Sequence, residues 1–377
     1  MPEIYGGVSK RFIAFVLLAG TALASERSEV HGQWRVKAGQ SDSVSWFDPN
    51  LDDSNWDPIG PPSDGRSQIA HVQDSAHGPV WYRISFPVPA LPGKSARLIL
   101  DRAFDGARAW LNGQEFWGPA RGNDMFETDV AELLRHDRPN VLAVCLEGAK
   151  ANVHPNAYLW IGPEVFVSNQ KVTAVPNMTF GRAEVTATVW ITNATQNTVT
   201  AGIESTASRD AGGSTAGLTV SPGTTVAAEL HWTIPPTSVH LWDAEHSNLY
   251  QLSTSLTAVS DSGDSKYQDS EEVTFGIRRI ESRDGGLFLN GKALQSSGAK
   301  FVHIVAADTP LEFLASADAS GLMLIESSSG NRSILRDMVT RDWNHPSIVG
   351  WSIDEKSDAD FVRGLDNSRV VQLRVPK

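Results

Sequence analysis

The sequence predicts a multidomain chain that is mainly β and then α/β. Three observations carry that reading. Short apolar strands broken by turn residues run from residue 81 to residue 148. Two-residue alternation governs 183–193. After Gly276, helix start and stop signals alternate with continuous apolar runs. A length of 377 residues accommodates two or three such domains.

The N-terminus comes first. Lys10 and Arg11 precede a mostly apolar stretch, 12–24, that ends in Ala22-Leu23-Ala24. This is the pattern of an export signal over 1–24, and it predicts a secreted or periplasmic protein. The stretch is too short to span a bilayer. In the next region, 25–169, WYRISFPVP (81–89) sets Tyr82, Ile84, Phe86 and Val88 on one face. ARLIL (96–100) is a short apolar strand. ARAWLNGQEFW (107–117) holds Asn112-Gly113 between apolar runs, a strong hairpin signal. VLAVCLEG (141–148) carries the one cysteine, Cys145, which has no partner for an internal disulfide and reads as core. Such strands suit a sandwich or jelly roll.

In 170–276, AEVTATVWITN (183–193) alternates Val185, Ala187, Val189 and Ile191 against polar neighbours. Thr198–Ile203, Thr225–Ile234 and Leu249–Val259 are further strands, enough for one immunoglobulin-sized sandwich. DSGDSKYQDSEE (261–272) reads as an acidic hairpin tip or linker. In 277–377, Thr309, Pro310 and Glu312 predict a capped helix start and Gly321 its stop. Leu322–Ile325 and Ile348–Ile353 are buried strands, and Ile334, Leu335, Met338 and Val339 share one helical face. Alternating helices and apolar strands predict βα units on a parallel sheet of three to five strands.

Composition narrows the function. A net charge of −12 argues against nucleic acid or an anionic membrane as partner, since both call for a basic patch. Twelve Trp residues supply core, or platforms for sugar rings. There is no phosphate loop and no Cys/His metal cluster, so no cofactor is implied. Asn177, Asn193 and Asn331 fit the N-x-S/T pattern, which matters only in a glycosylating host. His345, in Asn-His-Pro-Ser, reads as a structural residue. Parallel βα units gather functional residues at the C-terminal strand ends. Glu326 and Glu355 both fall there.

Several segments, in order, resemble glycoside hydrolase family 2, the β-galactosidase, β-mannosidase and β-glucuronidase group. FDPNLDDSNWDPIGPP (47–62), GPVWYRISFPVP (78–89), WLNGQEFWG (110–118) and DMFETDVAELLRHDRPNVLAV (124–144) look like its galactose-binding-like jelly roll. LWDAEHSNLYQL (241–252) looks like the end of its immunoglobulin-like domain. FGIRRIESRDGGLFLNGK (275–292) looks like the entry to its (β/α)8 TIM barrel, and RDWNHPSIVGWSIDE (341–355) like the segment bearing its acid/base.

The resemblance implies a signal peptide at 1–24, a jelly roll at 25–169, an immunoglobulin-like sandwich at 170–276 and an incomplete TIM barrel at 277–377. It implies retaining hydrolysis of a terminal β-glycoside, with two carboxyl groups about 5 Å apart. Glu355 matches the acid/base. Asp354 stands where the family has an Asn bonding the sugar 2-hydroxyl. His303 stands where an active-site Arg is usual. Trp351 is a further candidate sugar contact. No residue matches the nucleophile, whose strand lies beyond the pattern present here: about 100 residues follow Gly276, against about 250 for a whole barrel. Glu326 is the candidate substitute carboxylate. The first βα unit is absent or collapsed, because only Ala293–Ser297 separate the Asn290-Gly291-Lys292 turn from the next strand. The alternatives are a carbohydrate-binding protein without turnover, or a gene remnant.

Overall fold

The computed structural model describes residues 26–39, 46–59, 79–90, 94–101, 107–117, 127–146, 156–283, 286–294, 302–307, 309–328 and 332–373. The expected signal segment lies outside the described residues. Among those described, no helix is long and apolar enough to cross a membrane.

Two antiparallel sheets face each other in the first unit. One orders Glu26–Glu29, Asn156–Pro163, Lys94–Asp101 and Glu127–Asp129. The other orders Asp57–Ile59, Trp34–Ala38, Val80–Phe86, Asn140–Leu146, Arg108–Leu111 and Gln114–Trp117. Tyr82, Ile84, Phe86 and Val88 enter the core between the sheets, as their alternation requires. The expected hairpin forms at Asn112-Gly113, with φ of 55° and 86°. Positive φ at both central residues is what a two-residue turn between twisted strands demands.

On the outer face of the larger sheet, Trp81 and Trp110 stack at 5.0 Å, and Trp46 meets Trp56 edge-on at 5.2 Å. Cys145 is buried in this aromatic layer. The 46–56 segment is latched over it by Arg83, whose Nε donates to Asp53 at 2.9 Å and whose Nη1 donates to the Trp46 carbonyl. Part of the Trp excess is therefore packing.

The second unit begins at Val165. The strand Val165–Pro176 is continuous apart from a register shift between Val167 and Asn169, so the expected boundary at 169/170 falls inside a strand. The change of sheet comes at Glu164. One sheet orders Val165–Pro176, Ala183–Asn193 and Thr224–Ile234; the other orders Gly213–Val220, Val199–Ala207, Tyr250–Ser260 and Lys266–Phe275. Val185, Val189, Ile191, Ile203, Leu252 and Leu256 fill the space between them.

A small antiparallel sheet follows, made of Ile280–Arg283, Gly286–Leu289 and Lys292–Ala293. Then come four parallel strands in sequence order: Val302–Ala306, Met323–Ser328, Ile348–Ile353 and Val370–Leu373. The helices Leu311–Ser320, Arg332–Asp342 and Lys356–Leu365 connect them. Gly321 ends the first helix in the left-handed conformation, φ 73°, as expected. Its start differs from expectation. Thr309 does not cap; its hydroxyl donates backwards to the Ala306 carbonyl at 2.7 Å, and Pro310 takes the cap position.

The second sandwich grips the loops that precede the third and fourth parallel strands. Trp343 Nε1 and Asn344 Nδ2 both donate to the Gln170 carbonyl at 2.8 Å. The Val172 amide donates to Asn344 Oδ1 at 2.9 Å, and Lys171 Nζ to the Leu365 carbonyl at 2.6 Å. Trp190 and Trp343 stack at 5.1 Å.

A candidate carboxylate site at the ends of the parallel strands

Glu355 lies two residues past the strand Ile348–Ile353 and immediately before the helix Lys356–Leu365. The apolar strand ends because Asp354 and Glu355 cannot be buried without partners, and both are exposed. Glu355 has extended backbone, φ −108° and ψ 132°, and its side chain caps no helical amide. Ser357 Oγ donates to Glu355 Oε2 at 3.2 Å. A solvent-facing carboxyl at the C-terminal edge of a parallel sheet is placed to exchange a proton with a bound molecule.

The remaining expected site residues do not join it. Partners across a parallel sheet share a face. Leu324 packs on the helix side with Leu335 and Met338, whereas Met323 and Ile325 pack on the other side with Trp242 and Leu289. His303 pairs with Leu324, so it stands on the helix side, exposed, and not on the inner face. Trp351 is wholly buried among helix residues, and its indole N–H donates to Asp366 Oδ2 at 3.1 Å. No ring face of Trp351 is left for a sugar, so the expected contact is corrected to a core role.

Glu326 is also corrected. It is paired with Trp351, four residues before Glu355. At about 3.3 Å per residue that is roughly 13 Å along the strand, far from the separation a retaining pair needs. Glu326 is wholly buried on the helix side, 3.4 Å from Arg341 Nη2. Burial, and then the negative charge of Asp342, push its carboxyl well above the usual range. The Arg341 guanidinium opposes them while itself gripping Asp342 at 2.6 Å.

That environment makes Glu326 a stability group with a definite sign. Its folded pKa exceeds its unfolded value of about 4.3, so its contribution is complete below that pH and is lost as pH rises towards the folded value. Glu326→Gln is expected to raise the thermal midpoint at pH 8 while changing it little near pH 4. Up to about 1.4 kcal/mol separates the two proteins per pH unit within that interval. Scanning calorimetry across this range is the check; an equal shift at every pH would defeat the assignment.

His345 is structural, as the sequence suggests. Its Nδ1 meets Asp318 Oδ2 at 2.6 Å, and the Ser347 amide donates to Asp318 Oδ1 at 2.9 Å. Arg369 Nη2 donates to the His345 carbonyl at 2.8 Å. Asn193 is buried, its side-chain amide donating to the Asn197 and Val220 carbonyls; Asn177 Oδ1 accepts from the Thr179 and Phe180 amides. Asn331 lies outside the described residues. Sequence reasoning missed the polar inner face near the strand ends, where Ser327 pairs with Ser352 and Ser352 with Gln372. Alternation could have exposed it, but the fully buried strand Ile348–Ile353 hides its faces and a register shift lies between Leu324 and Ile325.

Comparison with known proteins fits this architecture. Residues 165–278 match the model of Glycosyl hydrolases family 2. A β-galactosidase of Thermoanaerobacterium thermosulfurigenes is 26% identical over 167 residues, covering 32% of this chain and 22% of that protein. The structure of Bacteroides uniformis β-glucuronidase 2, covalently bound to cyclophellitol-6-carboxylate aziridine, superposes with a TM-score of 0.74 at 17% identity, over 93% of this chain and 52% of that one. A family 2 member from Bacteroides cellulosilyticus gives 0.71 at 20% identity, over 92% and 57%. These structural likenesses speak to the fold. That family match covers one segment of the chain, and the curated relatives named as β-glucuronidases and β-galactosidases are 22–27% identical, so the chain is similar to glycoside hydrolase family 2. It spans half or less of the length of the curated relatives it matches over most of its own length, 45% of one, 38% of another and 50% of a third.

Proposed function

We propose that this chain carries the acid/base half of a retaining β-glycosidase site. Glu355 would protonate the leaving oxygen, and Asp354 would accept from the sugar 2-hydroxyl. The observation that carries the reading is the exposed position of Glu355 at the end of a parallel strand in a chain similar to family 2. On this reading the first sandwich is a jelly roll, the second is immunoglobulin-like, and the parallel sheet is part of a (β/α)8 barrel in an exported protein. Relatives named as β-galactosidases and a β-glucuronidase support a terminal β-glycoside as substrate. A retaining mechanism needs a second carboxylate beside Glu355. Glu326 cannot supply it from behind the sheet, which favours carbohydrate binding with little or no turnover as the second reading.

General acid assistance alone gives about 10²–10⁴-fold, against roughly 10⁶–10¹⁷-fold for whole enzymes. Purified chain is therefore expected to hydrolyse aryl β-galactoside, β-mannoside and β-glucuronide at near-background rates, equal to those of Glu355→Gln. In the same experiment, methyl β-glycosides should shift the amide NMR signals of residues 352–357. Absence of any such shift would remove the sugar site. Turnover abolished by Glu355→Gln would show that a second carboxylate is in place.

A further inference from the structure

Away from the parallel sheet, a cleft of about 570 Å³ lies on the seam between the two sandwiches. That is the size of a small-molecule site, and domain seams are where such sites concentrate. Ser95, Thr128, Asp129 and Glu132 line it from the first sandwich, Glu164 from the junction and Gln196 from a turn of the second. Two features distinguish it from an ordinary solvated groove. Ser95 is only 4% exposed, and its hydroxyl has no hydrogen-bond partner in the protein. Buried hydroxyls are almost always satisfied, so a molecule in the cleft is the natural partner. Among the described residues, three carboxylates line the cleft and no Lys, Arg or His does.

Ligand chemistry follows from that lining. Carboxylates only accept hydrogen bonds, and their combined field repels anions. A uronate or phosphate is disfavoured. Among the described residues, no group of three or more His, Cys, Asp or Glu could hold a metal ion, which argues against a bare divalent cation. What fits is a molecule rich in donors, with a protonated amine for the carboxylates and hydroxyls for Ser95, Thr128 and Gln196.

We infer that the seam cleft is a binding site for an amine-bearing polyol of the hexosamine type, separate from Glu355. The proposal does not depend on the glycosidase reading.

The test is saturation-transfer NMR and titration calorimetry on the purified chain with D-glucosamine, D-glucose and D-glucuronate, at a mildly acidic pH where the amine is protonated. Glucosamine is expected to bind at least about tenfold more tightly than glucose, the scale of one charge-assisted hydrogen bond, and glucuronate not at all. Glu164→Gln and Ser95→Ala should each weaken glucosamine about tenfold. Glu229→Gln, at an exposed acid of the second sandwich outside the cleft lining, should leave it unchanged, with circular dichroism confirming that each variant folds. No transfer from glucosamine would mean that the cleft holds water only and would overturn the inference. Equal binding of all three sugars, or binding indifferent to Glu164→Gln and Ser95→Ala, would overturn it as well.

Discussion

Asp366→Ala is expected to cost about 3–5 kcal/mol, the scale for removing one partner of a buried ion pair, and to loosen the parallel sheet from the second sandwich. Asp366 is wholly buried. It accepts from Arg369 Nη1 at 2.6 Å, from the Trp351 indole, and from the Ser368 amide and hydroxyl, with Lys171 Nζ at 3.5 Å. Removing it strands the Arg369 guanidinium, which is almost as deeply buried. Burial alone would favour protonation of Asp366, but Arg369 and Lys171 outweigh it and hold the carboxyl far below the usual range. The sign is therefore that of a depressed acid. Its contribution is present above the unfolded value of about 3.9 and is lost as pH falls below it. Urea unfolding followed by near-ultraviolet circular dichroism is the measurement, with Asp366→Asn beside it. Asn keeps the shape and loses the charge, so it should flatten the acid limb of the stability profile. A loss below about 1 kcal/mol in the Ala variant would place the pair among ordinary surface bridges.

Trp242→Ala should be comparably damaging, about 3–5 kcal/mol. Trp242 is fully buried where three units meet. Its ring packs with Leu289 of the small sheet and with Met323, Ile325 and Val349 of the parallel sheet. Its indole donates to the Asp318 carbonyl at 2.8 Å, and its own carbonyl accepts from Asn290 Nδ2 at 3.0 Å. The chain cannot easily collapse into the space, because Gly276 already approaches so closely that an added Cβ would lie 2.9 Å from Trp242 Cβ. Trp242→Phe would retain much of the volume and lose the indole donor, and should cost clearly less. If the two variants melt together, the hydrogen bond and not the packing is what matters.

Much of this arrangement can be read from local signals. Asn112-Gly113 announces its hairpin, Gly321 announces a helix end, and Ile348–Ile353 is one of the most apolar runs in its region. Each is set by backbone chemistry within a few residues. Trp351 and Glu326 were misread for one reason. Strands buried on both faces show no alternation, so the sequence does not say which residues face the helices. Nothing local marks Lys171 as the partner of Asp366 either. One sits mid-strand in a sandwich and the other just after a helix, and only the fold brings them together. The exposed position of Glu355 past a buried strand was legible because the transition from apolar run to paired acids is local.

The grip of residues 170–172 on 343–344 and 365–366 has a consequence for gene shuffling. A crossover at Gly276 looks harmless in the linear sequence, since one unit ends there and another begins. It would nevertheless give the incoming half a foreign surface. A donor without an amide like that of Asn344 would leave the Val172 amide unmatched and the Gln170 carbonyl with the Trp343 indole alone, and one without Asp366 would leave Lys171 beside Arg369 with no anion between them. A viable hybrid must therefore inherit both patches from one parent, or change positions 171 and 366 in concert. Lineages that diverge in this region should carry paired substitutions at those two sites.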